Sequence, residues 1–345
     1  MLFIRVDANE KIGIGHLMRC LAVANEANEQ GIECTFIISD KETERIMINF
    51  DFATICLNSE WNNLNNEIDK LIKVISENKI KLLLVDSYYV TKEYFEEIGK
   101  NVTLIYLGDL NYYSEYIDCL INYNNYYHKF NYYNMYDKKK TKLLLGTKYV
   151  PLREEFTNIK PIVRDTVSNI LITTGGTDTY NIAGKIVDYF IKNESENDIC
   201  FNIVVGSLNR NLDILSKLEK KNKNIKLYIS TNNVAELMIK SDIAISAGGS
   251  TLYELCACGV PTICYAFVDN QLDSIKEFMA TETMISVGDI RGREEECINL
   301  IYEKVQILKN NYKIRKKMFN KMQNIVDRKG SFRIVKEICD LGCKS

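Results

Sequence analysis

Residues 12–20 read IGIGHLMRC and combine glycines, a histidine and an arginine in one short stretch. Gly13 and Gly15 precede a helical pattern, and glycines there are typical of a backbone that approaches a phosphate. His16 follows at the same corner, with Arg19 one turn later. The partial positive charge of a helix N-terminus favours a neutral imidazole, which can accept a proton. Two interpretations stay open: His16 is a general base in a substrate-binding loop, or it is a structural histidine that caps or packs the helix.

The same stretch resembles the G-x-G-x-x-G fingerprint of dinucleotide-binding folds only in part. Met18 occupies the third glycine position, and Gly13 lies well beyond the apolar run at 2–6 instead of in the tight turn that follows it. Asp40, after the next apolar run, favours the fingerprint because it mimics a ribose-binding acid. On balance we do not expect NAD binding, and the sequence contains no Walker phosphate loop.

A second candidate binding loop lies in the stretch SAGGSTLYELCACG. Gly248 and Gly249 free the backbone, and Ser250 and Thr251 add hydroxyls and amides at the start of a helix, which suits a phosphate. Glu254 follows about one turn later, where its carboxylate could accept hydrogen bonds from both ribose hydroxyls. The alternative for Glu254 is an ordinary surface glutamate.

A third loop, LITTGGTDTYN, repeats the arrangement of strand, glycine pair and helix start with Gly175 and Gly176. Because the two glycine-pair loops fall at strand ends of one predicted domain, together they fit a nucleoside diphosphate.

The elements that must position these loops alternate between apolar strand-length runs and helical patterns, which favours parallel sheets covered on both faces. The predicted strands are 2–6, 33–38, 53–57, 81–86, 102–107, 117–122, 169–174, 200–205, 225–229, 242–246, 261–266 and 283–287. Two of the three prolines fall within 144–165, so a linker is expected around 152–166. The sequence thus predicts an α/β protein with two doubly wound domains, residues 1–152 and 166–345, the second ending in helices.

Composition excludes several classes of function. The net charge of −2 gives no electrostatic reason to expect binding to nucleic acid or to an anionic membrane. Apolar runs such as 81–87 and 261–267 are far shorter than the ~20 residues that span a bilayer, and no signal peptide is recognisable. A cytoplasmic protein is expected. The eleven cysteines are scattered and lack paired zinc-ligand spacing, so buried free thiols are expected instead of a structural zinc site. We expect neither an essential metal nor a cofactor.

The segment 111–140 is dense in tyrosine and asparagine. A loop-rich stretch of biased composition is one interpretation, and an aromatic face for a sugar ring is the other.

Five stretches carry a family resemblance when taken together and in order: GIGHLMRCLAVA, VDSYYV, LLGTKYVPLREEF, LITTGGTD and SAGGSTLYELCACGVPTICYAFVDNQ. Their combination resembles the nucleotide-sugar hydrolases of pseudaminic acid biosynthesis, which act on UDP-2,4-diacetamido-2,4,6-trideoxy-β-L-altropyranose. It also resembles a spore-coat polysaccharide family and, more distantly, the lipid-linked N-acetylglucosaminyltransferase of peptidoglycan synthesis.

The resemblance implies a GT-B architecture, in which two Rossmann-like domains face a central cleft. It implies nucleotide on the C-terminal domain, the reacting sugar towards the N-terminal domain, and His16 as the catalytic base. Substrate-binding roles fall by resemblance or loop position on Gly13, Gly15, Arg19, Tyr88, Asn270 and Gln271. Nucleotide-binding roles fall on Gly175, Gly176, Gly248, Gly249, Ser250, Thr251 and Glu254. The sequence departs from the family in LGDLN, where only Asp109 stands in place of an acidic pair.

The implied reaction is hydrolysis of a UDP-sugar at the anomeric carbon, with UDP and free sugar as products and a monomer as the acting species. No D-x-D motif is present for a metal–diphosphate clamp, so the helix dipole and backbone amides would hold the leaving group. A GT-B glycosyltransferase with a UDP-sugar donor and a non-catalytic nucleotide-sugar-binding protein remain the alternatives.

Overall fold

A computed structural model of the protein describes residues 1–109, 111–193, 199–206, 209–231 and 233–342. The contacts within it divide the chain into two compact units. The first comprises the described parts of Met1–Glu154 and Arg328–Ser345, and the second those of Glu155–Asp327.

The described residues of the first unit form a seven-stranded parallel sheet in the order β3-β2-β1-β4-β5-β6-β7. Its strands are β1 (Leu2–Val6), β2 (Cys34–Ile38), β3 (Ala53–Cys56), β4 (Leu82–Asp86), β5 (Thr103–Leu107), β6 (Cys119–Asn122) and β7 (Lys142–Leu145). Its helices up to this point are α1 (Gly15–Glu29), α2 (Lys41–Met47), α3 (Ile68–Glu77), α4 (Lys92–Gly99) and α5 (Tyr132–Met135). The central strands β1, β4 and β5 are almost wholly buried, as a parallel sheet covered on both faces requires.

Strand β7 is absent from the sequence-based prediction. It has four residues, two of them only partly buried, and Gly146 follows it directly. Lys142 precedes its three leucines and Gly146 follows them, so the apolar run is only three residues long and is not recognised as a strand.

Asp40 has a local structural role in the first unit. Its side chain accepts a hydrogen bond from the Thr43 backbone amide at 2.9 Å and caps α2. This is the ordinary function of an aspartate at a helix start, so the position does not indicate a ribose-binding acid.

The segment 111–140 contributes to the core of the first unit. Tyr132 and Tyr136 are buried in its hydrophobic cluster. The rings of Phe130 and Tyr132 stack with their centroids 5.3 Å apart. These aromatic side chains therefore fill the space beside β6, whereas Tyr113 and Tyr133 remain exposed.

The described residues of the second unit form a six-stranded parallel sheet in the order β10-β9-β8-β11-β12-β13. Its strands are β8 (Asn169–Thr173), β9 (Cys200–Val205), β10 (Ile225–Ile229), β11 (Ile243–Ala247), β12 (Thr262–Ala266) and β13 (Met284–Asp289). Its helices are α6 (Ile182–Asn193), α7 (Leu212–Lys221), α8 (Val234–Lys240), α9 (Thr251–Cys258), α10 (Leu272–Ala280), α11 (Glu294–Asn310) and α12 (Tyr312–Met322). Each strand overlaps a run predicted from the sequence.

The last helix, α13 (Gly330–Gly342), belongs to the first unit and packs along α1. The sequence-based boundaries, which placed all of 166–345 in the second domain, are wrong in this respect. Gly330 allows the start of α13 to lie directly against Val150, because a Cβ at position 330 would be 1.9 Å from the Val150 carbonyl oxygen. The Ser331 hydroxyl also donates to the Leu152 carbonyl at 3.1 Å. No helix in the described part of the chain is both long and apolar enough to cross a bilayer.

A buried ionic cluster joins β1 to the segment before α3. Arg5, with no exposed side-chain surface, donates from Nε and Nη2 to the two carboxylate oxygens of Glu67 at 2.7 and 2.8 Å. Its Nη1 donates to Asp7 at 2.6 Å. The Ser59 hydroxyl donates to Glu67 at 2.7 Å. Burying these charges is tolerable only because each is paired and hydrogen-bonded.

We predict that Glu67→Gln lowers the free energy of unfolding by about 3 kcal/mol, because it leaves the Arg5 charge buried without its bidentate partner. Urea denaturation measures the effect. The control is Glu77→Gln, which removes the exposed pair with Lys73 on α3 and should leave the unfolding midpoint unchanged. Equal midpoints for the two variants would contradict the prediction.

Candidate active site

The loop between β1 and α1 is organised by Asn9. The Asn9 side-chain oxygen accepts hydrogen bonds from the amides of Lys11 and Ile12 at 2.9 and 3.0 Å. The Asn9 carbonyl accepts one from the Gly13 amide at 2.8 Å. Gly13 has φ of +72°, a conformation that favours glycine. A Cβ at Gly13 or Gly15 would meet no atom within 4 Å, so the backbone surface at both positions is open.

His16 lies in the first turn of α1 and contacts the end of β4. Its Nδ1 is 2.6 Å from Oδ1 of Asp86. Nη2 of Arg19, which can only donate, lies 2.9 Å from the same nitrogen. The ionised carboxylate only accepts hydrogen bonds and is the nearer partner, so we assign the proton to Nδ1. In a neutral ring the lone pair then lies on Nε2. The side chain of His16 is only 11% exposed, and the ring of Tyr88 packs edge-on against it with centroids 4.7 Å apart.

Asp86 is fully buried and is held by Arg19 as well as by His16. Nε of Arg19 donates to Oδ2 of Asp86 at 2.5 Å, and its Nη2 donates to Oδ1. Burial alone would raise the pKa of Asp86, but the charge of Arg19 and the bonds from both partners hold that pKa well below its usual range. The carboxylate therefore stays ionised and remains an acceptor for Nδ1.

The Arg19 guanidinium is committed to this cluster. Its Nη1 also donates to the hydroxyl of Tyr123 at 3.1 Å, and its side chain is 13% exposed. The sequence-based expectation was that Arg19 contacts substrate, whereas the structure shows it bound to Asp86 and Tyr123. Sequence reasoning missed Asp86, although an acidic residue that closes a buried parallel strand was an available signal.

In the second unit, β8 and β11 are neighbours, with Thr173 paired to Ser246. The two glycine-pair loops that follow these strands therefore emerge side by side at one edge of the sheet. Gly175 has φ of +79°. A Cβ on Gly175, Gly176 or Gly249 would meet no atom within 4 Å.

The loop after β11 leads directly into α9. Gly248 is tightly placed, since a Cβ there would lie 2.5 Å from Cδ1 of Ile275. The amides of Leu252 and Tyr253 bond back to the carbonyls of Gly249 and Ser250 at 3.1 and 3.0 Å. Within the described residues the structure shows no hydrogen bond to the Ser250 and Thr251 amides. The start of α9 thus presents two N–H groups to a ligand.

Glu254 and Asp178 occupy different positions at this edge. Glu254 is half-buried in the first turn of α9. Asp178 instead accepts bonds from the amides of Ile182 and Ala183 at 2.8 and 3.2 Å and so caps α6. A shallow pocket opens beside it, lined by Thr174, Tyr180, Tyr265 and Phe267 among others.

Asn270 and Gln271 share the turn Asp269–Gln271 after β12. Asn270 is exposed, whereas Gln271 is buried and accepts a hydrogen bond from the Phe267 amide at 2.9 Å. Arg291 anchors the turn from outside by donating to Asp269 at 2.5 Å. The side-chain amide oxygen of Gln271 therefore stabilises this turn.

The structure therefore brings together His16, Arg19, Tyr88 and the Gly13–Gly15 loop within the first unit. Within the second unit it brings the two glycine-pair loops and α9 to one sheet edge. No protein-family model matches the chain.

Three curated relatives match in sequence. A protein of Methanocaldococcus jannaschii described as uncharacterized protein MJ1062 is 28% identical over 74% of this chain and 54% of its own length. The UDP-2,4-diacetamido-2,4,6-trideoxy-β-L-altropyranose hydrolase of Campylobacter jejuni is 28% identical over 77% of this chain and 92% of its own length. The spore coat polysaccharide biosynthesis protein SpsG of Bacillus subtilis is 23% identical over 97% and 96%. The chain is similar to the hydrolases of pseudaminic acid biosynthesis. It spans about half the length of the Methanocaldococcus protein.

Solved structures establish the fold. MurG of Acinetobacter baumannii superposes with a TM-score of 0.70 at 12% identity and covers 98% of this chain and 99% of its own. The glycosyltransferase VinC, solved with dTDP, superposes with a TM-score of 0.64 at 9% identity and covers 100% of both chains. Two parallel sheets with flanking helices and these matches define a GT-B fold, which confirms the expectation from sequence.

The histidine tautomer gives a direct test of the Asp86 contact. The chain has two histidines, so ¹⁵N NMR can assign both with a His128→Asn variant. We predict that neutral His16 carries its proton on Nδ1 and that Asp86→Asn shifts the population towards Nε2–H, because an amide oxygen is a weaker acceptor than a carboxylate. An Nε2–H tautomer in the wild-type protein would contradict the assignment.

Proposed function

We propose that the protein hydrolyses a UDP-activated diacetamido-trideoxy sugar at the anomeric C–O bond and releases UDP and the free sugar for pseudaminic acid biosynthesis. The observation that carries this proposal is the pairing of His16 with buried Asp86, which leaves Nε2 as a proton acceptor at the end of a helix. The name of the Campylobacter relative supports the substrate class.

In the proposed reaction, Nε2 of His16 takes a proton from a water molecule as its oxygen attacks C1 of the sugar. The C1–O bond to the diphosphate breaks, and its electron pair leaves with UDP. General-base assistance of this kind contributes ~10²–10⁴-fold to rate. Preorganised N–H groups at the leaving oxygen supply a further share.

We assign Asp86 and Arg19 to positioning. The Asp86 carboxylate fixes the His16 tautomer and ring orientation and also stabilises the imidazolium that forms when water is deprotonated. Arg19 neutralises Asp86 and braces it from the next turn of α1. Its own donors face Asp86, Tyr123 and Nδ1 of His16, so it acts on the sugar through His16.

We place the nucleotide on the second unit. The amides of Ser250 and Thr251 at the start of α9 bind the diphosphate, with Gly248 and Gly249 allowing its close approach. Glu254 accepts the ribose hydroxyls. Gly175 and Gly176 border the same edge and leave room for the diphosphate. A glycosyltransferase would bind the nucleotide with the same groups. A hydrolase and a transferase are therefore distinguished by whether the sugar passes to water or to an acceptor.

Within the first unit, we place the sugar and the attacking water against Gly13, Gly15 and Tyr88. The Tyr88 ring borders His16, and the residue is 43% exposed. Within the second unit, we assign Asn270 a substrate-binding role. Gln271 contributes to substrate binding indirectly. Its side-chain amide oxygen accepts a hydrogen bond from the Phe267 amide and so positions the turn that carries Asn270.

Isotope labelling decides which bond breaks. We predict that reaction in ¹⁸O-water places the label on the released sugar and leaves UDP unlabelled, because water attacks carbon. Mass spectrometry of both products measures this. Label on UDP would indicate attack at phosphorus. Slow UDP release that accelerates with an added sugar acceptor would indicate a transferase, and no release would indicate a binding protein.

Removal of the base should affect turnover and spare binding. We predict that His16→Asn lowers kcat by ~10²-fold or more while UDP affinity stays nearly unchanged, because the base acts only in the transition state. The matched control is His128→Asn at an exposed position, with wild-type turnover expected. Near-normal turnover in His16→Asn would exclude the mechanism.

The ribose assignment is testable by calorimetry. We predict that Glu254→Ala weakens UDP binding by ~10-fold, because it removes charge-assisted hydrogen bonds, without changing the unfolding midpoint. Glu295→Ala, an acidic residue in the first turn of α11, serves as the control. Unchanged UDP affinity in Glu254→Ala would show that the ribose lies elsewhere.

A further inference from the structure

Asp109 lies at the same edge of the sheet as His16, Arg19 and Asp86, and the proposed reaction assigns it no role. It follows β5, which pairs with β4, the strand that ends in Asp86. The Tyr123 hydroxyl lies within the electrostatic influence of both Asp86 and Asp109. Burial raises the pKa of Tyr123, Arg19 opposes that rise, and the charges of Asp86 and Asp109 add to it.

One oxygen of Asp109 is fixed by neutral donors. Its Oδ2 accepts hydrogen bonds from the Tyr126 hydroxyl at 2.7 Å and from Nδ2 of Asn124 at 3.4 Å. Both partners come from the segment that follows β6, so the carboxylate is braced from a neighbouring strand end.

The other oxygen is available. Asp109 is partly exposed, and within the described residues no hydrogen bond to Oδ1 and no ion pair to the carboxylate is found. Asp86 provides the contrast, because it is fully buried and its carboxylate is bound by Arg19 and His16. A carboxylate that is held on one side and open on the other is a directed acceptor.

We propose that Asp109 determines sugar specificity by accepting, at Oδ1, a hydrogen bond from a donor on the sugar ring. This inference rests on the proposed function. The sugar proposed above has three such donors: two acetamido N–H groups and the ring hydroxyl. A sugar with no donor at that position would leave a charged acceptor unpaired, which disfavours its binding.

The test combines a variant with substrate analogues. Asp109→Asn should lower kcat/KM by ~10-fold or more, mainly through KM, because the amide keeps the Tyr126 bond with its oxygen and then presents an N–H to the sugar donor. The analogues are the 2-acetoxy, 4-acetoxy and 3-deoxy forms of the substrate, each lacking one donor. One of them should cost the wild-type enzyme a similar factor and cost Asp109→Asn nothing further, which identifies the donor.

Three controls separate this inference from the proposed function. The circular dichroism spectrum and the unfolding midpoint of Asp109→Asn should match those of the wild type, which shows that the variant is folded, and its UDP affinity should be unchanged. Asp69→Asn, at an exposed carboxylate of α3, should behave as wild type. Were Asp109→Asn to fail to fold, the wild-type response to the analogues still provides a test: equal kcat/KM for all three would overturn the inference.

The inference is also overturned if Asp109→Asn keeps kcat/KM within about two-fold of wild type, or if its loss multiplies with the loss for every analogue. In those cases the wild-type enzyme still releases labelled sugar in ¹⁸O-water, and His16→Asn still lowers kcat by ~10²-fold or more. Failure of those two results instead would refute the proposed function itself.

Discussion

At the edge of the first unit's sheet where β4 ends and α1 begins, the arrangement depends on one interaction, the burial of Asp86 beneath Arg19 and His16. A carboxylate without exposed surface is stable only with a charged partner and satisfied oxygens, and Arg19 supplies both. The same carboxylate receives Nδ1 of His16 at 2.6 Å. Because Arg19 and His16 are one turn apart on α1, this single contact fixes both the start of that helix and the orientation of the imidazole.

Parallel topology explains why the relevant groups collect where they do. In each unit the strand ends and helix starts share one edge of the sheet, so β1 with β4 and β8 with β11 deliver their following loops side by side. Glycine is required where those loops turn, as the positive φ values of Gly13 and Gly175 show. The amides at the start of α9 are available to a ligand because a first helical turn has no backbone carbonyls to accept their hydrogen bonds.

Most of this framework could be predicted from the sequence, because buried parallel strands are continuous apolar runs and glycine pairs mark the loops between them. His16 and both glycine-pair loops were identified in this way. The Asp86–His16 contact was not, because it joins residues 70 positions apart and no local pattern records which carboxylate a histidine meets. Arg19 and Gln271 show the same limit, since their partners Asp86 and the Phe267 amide are set by tertiary packing. The docking of the start of α13 against Val150 depends on a close approach at Gly330 that its sequence context does not reveal.

The charges around His16 suit the anionic substrate of the proposed function. In that function, a bare carboxylate behind His16 would orient the ring but would also repel the nucleotide diphosphate. Arg19 removes that conflict, because the Asp86–Arg19 pair is neutral and leaves the orienting hydrogen bond in place. Asp109 differs, since a tyrosine and an asparagine hold it and no ion pair compensates its charge within the described residues. In the proposed function, an uncompensated carboxylate suits the neutral, donor-bearing part of the nucleotide sugar, and a compensated one suits the place where the proton is taken.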